Sequence, residues 1–96
     1  MMENFGPGVL ERLGFTWEKI HEINAKIVVG SIKGFGSSGP YADFKAYENV
    51  AQAMGGYLYA VTGSADRPPM GSALQQMELT AARNGAIAVM AALLQR

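Results

Sequence analysis

The sequence predicts a mixed α/β chain, mostly helical with one clear strand. Apolar residues recur at helical spacing in several separate stretches, the longest at the C-terminal end. A single compact β-branched run, Ile27-Val28-Val29 with Ile32, supplies the strand. Glycine and proline clusters divide these stretches without any linker long enough to separate domains. Residues 1–96 therefore read as one unit with no internal boundary.

A short helix is predicted over Val9–Leu13, entered through Gly6-Pro7-Gly8 and stopped by Gly14. A second begins after Thr16, a favourable N-cap, and Asn24 ends it. Phe15 and Ile20 have the spacing of a hydrophobic staple across that cap. Gly34 to Pro40 is a glycine- and serine-rich loop. Tyr47, Val50, Ala51 and Met54 then mark a helix closed by Gly55-Gly56. Tyr57–Thr62 fits either an apolar strand or more helix. Pro68-Pro69 blocks regular structure, and a long helix runs from about Ala73 to the end. The strand has no evident partner, and the last helix is apolar nearly all round after Gly85, so both are expected to be covered by other protein.

Composition excludes several classes of function. Eight Lys+Arg balance eight Asp+Glu, and the pI is about 6.6, so nothing argues for nucleic acid or an anionic membrane. The absence of cysteine excludes disulfides and thiol catalysis. One histidine, His21, cannot build a multi-histidine metal centre, and no metal is expected. The first residues lack the basic and apolar regions of a secretory signal. The longest apolar run, Ala86–Leu94, is half a bilayer span, which predicts a cytoplasmic protein with no membrane partner.

Gly34-Phe35-Gly36-Ser37-Ser38-Gly39 spells the G-x-G-x-x-G pattern of dinucleotide-binding turns. No helix opens after it on time, so a structural or gating loop is the better interpretation. Glu78 is the sole acid between Arg67 and Arg96. Near the start of an apolar helix it is expected to be partly desolvated, which would raise its pKa and its nucleophilicity.

Four stretches carry a family resemblance: Glu3-Asn4-Phe5-Gly6-Pro7-Gly8, Leu13-Gly14-Phe15-Thr16-Trp17, Ser31-Ile32-Lys33-Gly34-Phe35, and Lys45 through Ala53. In this order they resemble the class III CoA-transferases, the CaiB/BaiF family, and within it the formyl-CoA transferases. The likeness runs from Glu3 to Pro69 and more loosely to Arg96. It implies a segment of the family's large α/β domain, coenzyme A as a substrate in acyl-CoA form, and a small carboxylic acid as acceptor. It also implies a homo-oligomer, a dimer of interlocked chains, or cover from the remainder of a longer chain.

Carried over by the same resemblance, Asn4, Phe5, Val9, Arg12 and Leu13 fall in the stretch that contacts CoA, with Arg12 a candidate phosphate partner. Lys45 and Tyr47 match residues of the CoA and active-site cleft. Glu48 matches the acid beside the catalytic carboxylate, and Glu78 occupies the place of the family's nucleophilic aspartate. The family's preceding glycine is Met77 here, and a methionine would be unable to reach a positive φ cheaply. Glutamate adds one methylene, roughly 1.5 Å of reach. On these grounds the 96 residues alone are expected to turn over nothing and, holding only part of the CoA site that the resemblance implies, to bind CoA weakly. Two alternatives stand beside this one: a truncated, non-catalytic relative acting as an oligomerising or partner-binding module, and a nucleotide-binding loop protein.

Overall fold

The computed structural model describes all residues from Met1 to Arg96. The element order is β1 (Met2–Glu3), α1 (Val9–Arg12), α2 (Trp17–Ile23), β2 (Gly30–Ser31), α3 (Glu48–Met54), α4 (Tyr57–Thr62) and α5 (Gln76–Gln95). The strands are parallel neighbours in register Met2↔Gly30 and Glu3↔Ser31, so β1, the two short helices and β2 form a small crossover unit.

The strand run has a partner after all, and it is the N-terminal segment. Gly30 N donates to Met1 O at 2.9 Å and Ile32 N to Glu3 O at 3.0 Å. Pairing covers only Gly30–Ser31 of the expected Ile27–Ile32 strand because β1 itself is only two residues long. Nothing in Met2-Glu3 resembles a strand by composition. Its pairing is decided by tertiary contact.

The helix boundaries follow their caps. Gly14 (φ 84°) follows α1, with Phe15 N bonded to Leu10 O at 3.1 Å and Gly14 N to Glu11 O at 2.9 Å. That pair of bonds is a Schellman closure, which a left-handed residue makes possible. Thr16 caps α2 through Oγ1, which accepts from Lys19 N at 3.4 Å. On α2, His21 is exposed and stacks on Trp17 with ring centroids 5.0 Å apart. The ambiguous Tyr57–Thr62 segment is helical, set off by Gly56 before it and Gly63 after it.

Helix α5 lies across β2, and both backbones come close. A Cβ added at Gly85 would sit 2.7 Å from Ile32 Cδ1, and one at Gly30 would sit 2.8 Å from Val89 Cγ2. Gly85 and Val89 are four apart, so they share the face of α5 that meets the sheet. The opposite face leaves Ile87, Met90 and Leu94 exposed. By length and composition α5 is apolar enough to cross a membrane, with a mean hydropathy of 1.2 over its most apolar window.

Only four residues are buried: Ile20, Glu3, Glu48 and Gln52. The accessible surface is 7248 Å², against roughly 5,300 Å² for a compact protein of this mass. The radius of gyration is 16.4 Å, against about 12.5 Å for a compact chain of this length. What is buried is mainly polar, and it gathers beside the start of α5 and under β1.

The glycine run forms bends and turns from Gly34 to Asp43, and no helix opens until Glu48. Phe35, Tyr41 and Phe44 pack along it, with successive centroids 5.4 Å apart. Gly34 is required for a steric reason. A Cβ there would collide with the Ala46 side chain and lie 3.2 Å from Ala46 Cα. Because backbone cannot rotate aside, Gly34→Ala is expected to cost about 1–3 kcal/mol. Urea unfolding monitored by circular dichroism measures this.

Candidate functional site

The loop after β1, the segment after β2, the N-terminus of α3 and the first turns of α5 meet around a two-part cleft. One part, about 170 Å³, is lined by Asn4, Phe5, Val9, Lys45 and Tyr47 among others. The other, about 500 Å³, is lined by Asn4, Tyr47, Met77 and Glu78 among others. Asn4, Ile32, Lys33, Gly34, Ala46 and Tyr47 border both, so the two parts adjoin. Six of the nine sequence-selected residues therefore line this two-part cleft.

The other three do not. Arg12 sits on the last turn of α1 with its guanidinium over Gly8, and Leu13 is exposed just beyond it. Glu48 lies beneath the cleft wall, buried, with its carboxylate turned to the start of α5. Its Oε1 accepts from Met77 N at 3.0 Å and from Gln52 Nε2 at 2.7 Å. Its Oε2 accepts from Glu78 N at 2.9 Å.

Those bonds explain how α5 begins. The first N–H groups of a helix lack intrahelical acceptors, and Gln75 at the N-cap offers no side-chain bond. Glu48 supplies the cap from another helix, and its negative charge also suits the positive end of α5. Burial pushes the Glu48 carboxyl up. The N–H groups of Met77 and Glu78 and the Gln52 amide outweigh burial and hold it below the ordinary carboxylate value.

Two sequence expectations change here. Met77 adopts a negative φ within α5, so no glycine-like conformation is needed at that position. The helix begins one residue before it, and ordinary helical backbone carries the chain to Glu78. Glu78 itself is exposed on the cleft wall, so the anticipated desolvation is absent.

A second buried carboxylate fixes the opposite wall. Glu3 Oε2 accepts from Lys33 Nζ and from Phe5 N, each at 2.9 Å, while Lys33 Nζ also donates to Phe5 O at 2.7 Å. Burial raises the Glu3 carboxyl, but hydrogen bonds from Ser31, Lys33 and Phe5 bring it below its usual value. The Lys33 ammonium is thereby committed to shaping the Asn4–Phe5 loop. Sequence reasoning missed Glu3, Lys33 and Gln52. The Glu48/Gln52 spacing of four on one helix was a usable signal; the thirty-residue separation of Glu3 and Lys33 gave none.

The whole chain, residues 1–96, matches the profile of "CoA-transferase family III". It is 52% identical over all 96 residues to a formyl-CoA:oxalate CoA-transferase of Streptomyces avermitilis, of which those residues make up 23%. A formyl-CoA:oxalate CoA-transferase of Rhodopseudomonas palustris strain HaA2 is 51% identical over the same span, 22% of its length. The crystal structure of a CAIB/BAIF family protein from Brucella suis superposes with a TM-score of 0.87 at 35% identity, covering 99% of this chain and 25% of that one. The chain thus spans about a quarter of the length of these relatives. With the family profile matched from end to end and the fold shared with a CaiB/BaiF protein, the chain belongs to CoA-transferase family III.

Proposed function

We propose that these residues form part of the large domain of a transferase that moves CoA between small carboxylic acids, of the formyl-CoA and oxalate kind. One observation carries the proposal: five of the seven residues assigned to CoA and the residue assigned as nucleophile line two adjoining cavities that share a wall. The formyl-CoA:oxalate CoA-transferase names of the relatives support the choice of acids.

In this mechanism a Glu78 oxygen attacks the formyl thioester carbon, and CoA leaves as thiolate, forming a mixed anhydride. The thiolate attacks the Glu78 carbonyl of that anhydride, releasing formate and leaving Glu78 as a CoA thioester. Oxalate attacks this thioester, CoA leaves again, and the thiolate takes the oxalyl group, restoring the Glu78 carboxylate. Asn4, Phe5, Val9, Lys45 and Tyr47 line the approach of CoA. Glu48 does not touch substrate, since both its oxygens are engaged. It positions the backbone from which Glu78 projects.

The exposed apolar face of α5 fits an assembled state, either a homo-oligomer or cover from further chain. Its contact with β2 through Gly85 favours an internal helix over a bilayer span, and an acyl-CoA substrate implies a cytoplasmic protein. The test is to incubate the protein, as its gene encodes it, with formyl-CoA and oxalate and to follow oxalyl-CoA by chromatography. Product that accumulates with formate supports the proposal, and its absence rejects it.

Arg12 gives a further check. It is one turn beyond Val9, which lines the smaller cavity, and its guanidinium lies over Gly8. As a phosphate partner its loss would remove a charge-assisted bond, so Arg12→Ala is expected to raise KM for formyl-CoA about tenfold with kcat preserved. An unchanged KM would remove Arg12 from the site.

A further inference from the structure

Gln52 is the most deeply buried side chain in the molecule, at 0% exposure. A carboxamide out of water must find partners for both ends or cost free energy. Here each end is used. Nε2 donates to Glu48 Oε1 at 2.7 Å and, at a longer 3.5 Å, to Ser72 O, while Oε1 accepts from Ser72 N at 3.0 Å. The partners settle which end is which, because Ser72 N can only donate and a carboxylate can only accept.

The result is a bracket between α3 and the chain that leads into α5. Ser72 is held directly, four residues before α5 begins, and Met77 and Glu78 are held through Glu48. The approach is tight enough that a larger residue beside it would displace the amide. A Cβ added at Gly71 would fall 2.8 Å from Gln52 Oε1. An apolar side chain of similar volume could fill this space, but it would give the entering segment no fixed direction.

We infer that Gln52 is a positioning residue for acyl transfer: by clamping Ser72 and orienting Glu48, it fixes where α5 starts and so where the Glu78 carboxylate stands in the cleft. The inference rests on Glu78 being the nucleophile. Its effect on rate follows from the sensitivity of such reactions to placement, where about 1 Å of misplacement costs roughly 100-fold.

The test compares the unsubstituted protein, as its gene encodes it, with Gln52→Met, which keeps length and volume but removes the bracket. Hydrogen exchange is followed by mass spectrometry on peptides covering residues 72–79 and 85–94. Exchange at 72–79 is expected to quicken about tenfold, the loss of one hydrogen bond's protection, while 85–94 is unchanged. In the same preparations kcat for oxalyl-CoA formation is expected to fall by about 100-fold with KM for formyl-CoA retained. Unchanged exchange at 72–79, an equal rise along all of α5, or faster exchange with unchanged kcat would each overturn the inference. Should Gln52→Met fail to fold, Gln52→Asn, which retracts the amide by about 1.5 Å, is expected to give the same local pattern. Absence of turnover in the unsubstituted protein would instead refute the transferase assignment. The exchange pattern would then decide alone whether Gln52 fixes the start of α5.

Discussion

Glu78→Gln is expected to lower oxalyl-CoA formation by at least about a thousandfold, because a carboxamide cannot attack a thioester and no other acid on the cleft wall replaces it. Hydroxylamine trapping separates this from a binding defect. With formyl-CoA present, the unsubstituted protein should yield a hydroxamate at Glu78, and Glu78→Gln should yield none while still binding CoA. Glu78 is exposed, so unfolding is not the expected route to inactivity. Full turnover in Glu78→Gln would move the nucleophile elsewhere.

Glu48→Ala is expected to have the second largest effect, on both stability and rate. It orphans Met77 N, Glu78 N and one Gln52 donor at a buried position. A drop in Tm of about 10 °C is anticipated, with acyl transfer reduced by about 100-fold or more as Glu78 loses its fixed backbone. The same geometry fixes a pH dependence. The Glu48 and Glu3 carboxyls lie below their ordinary value of 4.5 in the folded chain. Their stabilisation is therefore complete above that value and is lost as pH falls from it through the lowered folded values. Thermal melts between pH 3 and 7 should show Tm falling below pH 4.5 in the unsubstituted protein. The fall should be shallower in Glu48→Gln, which also melts lower at neutral pH. An identical acid slope would show that Glu48 is not ionised against α5.

Local signals in the sequence were sufficient for the first three helices, while Tyr57–Thr62 stayed open between strand and helix. Thr16, Gly14, Gly55-Gly56 and the periodicity of Tyr47 to Met54 place α1 to α3 within a residue or two, because caps and apolar spacing act over a few positions. The strand pairing was not legible. Met2 and Glu3 carry no strand preference, and their partner is nearly thirty residues away. The same distinction divides the candidate site. Asn4, Phe5, Val9, Lys45, Tyr47 and Glu78 were identified through family resemblance, and they line one cleft.

Glu48 was also identified, but the sequence offered no means of telling a cleft acid from a helix cap formed in space. That distinction depends on where α5 begins relative to α3, a contact spanning about thirty residues of chain. The concern over Met77 shows the converse error. It rests on a positive φ at that position, whereas α5 already includes Met77 in ordinary helical backbone. Glu3 and Lys33 show a third case, in which ordinary surface residue types become a buried pair only because β1 and β2 meet.

The central claim is that the Glu78 carboxylate is itself acylated, and isotope transfer tests it most directly. If oxalate labelled with oxygen-18 attacks a Glu78 thioester and the anhydride is then opened at the oxalyl carbon, one labelled oxygen stays on Glu78 in each such turnover. Peptide mass spectrometry after incubation with formyl-CoA and labelled oxalate should therefore find the label at Glu78, and none at Glu48. Oxalyl-CoA formed with no label at Glu78 would contradict the account.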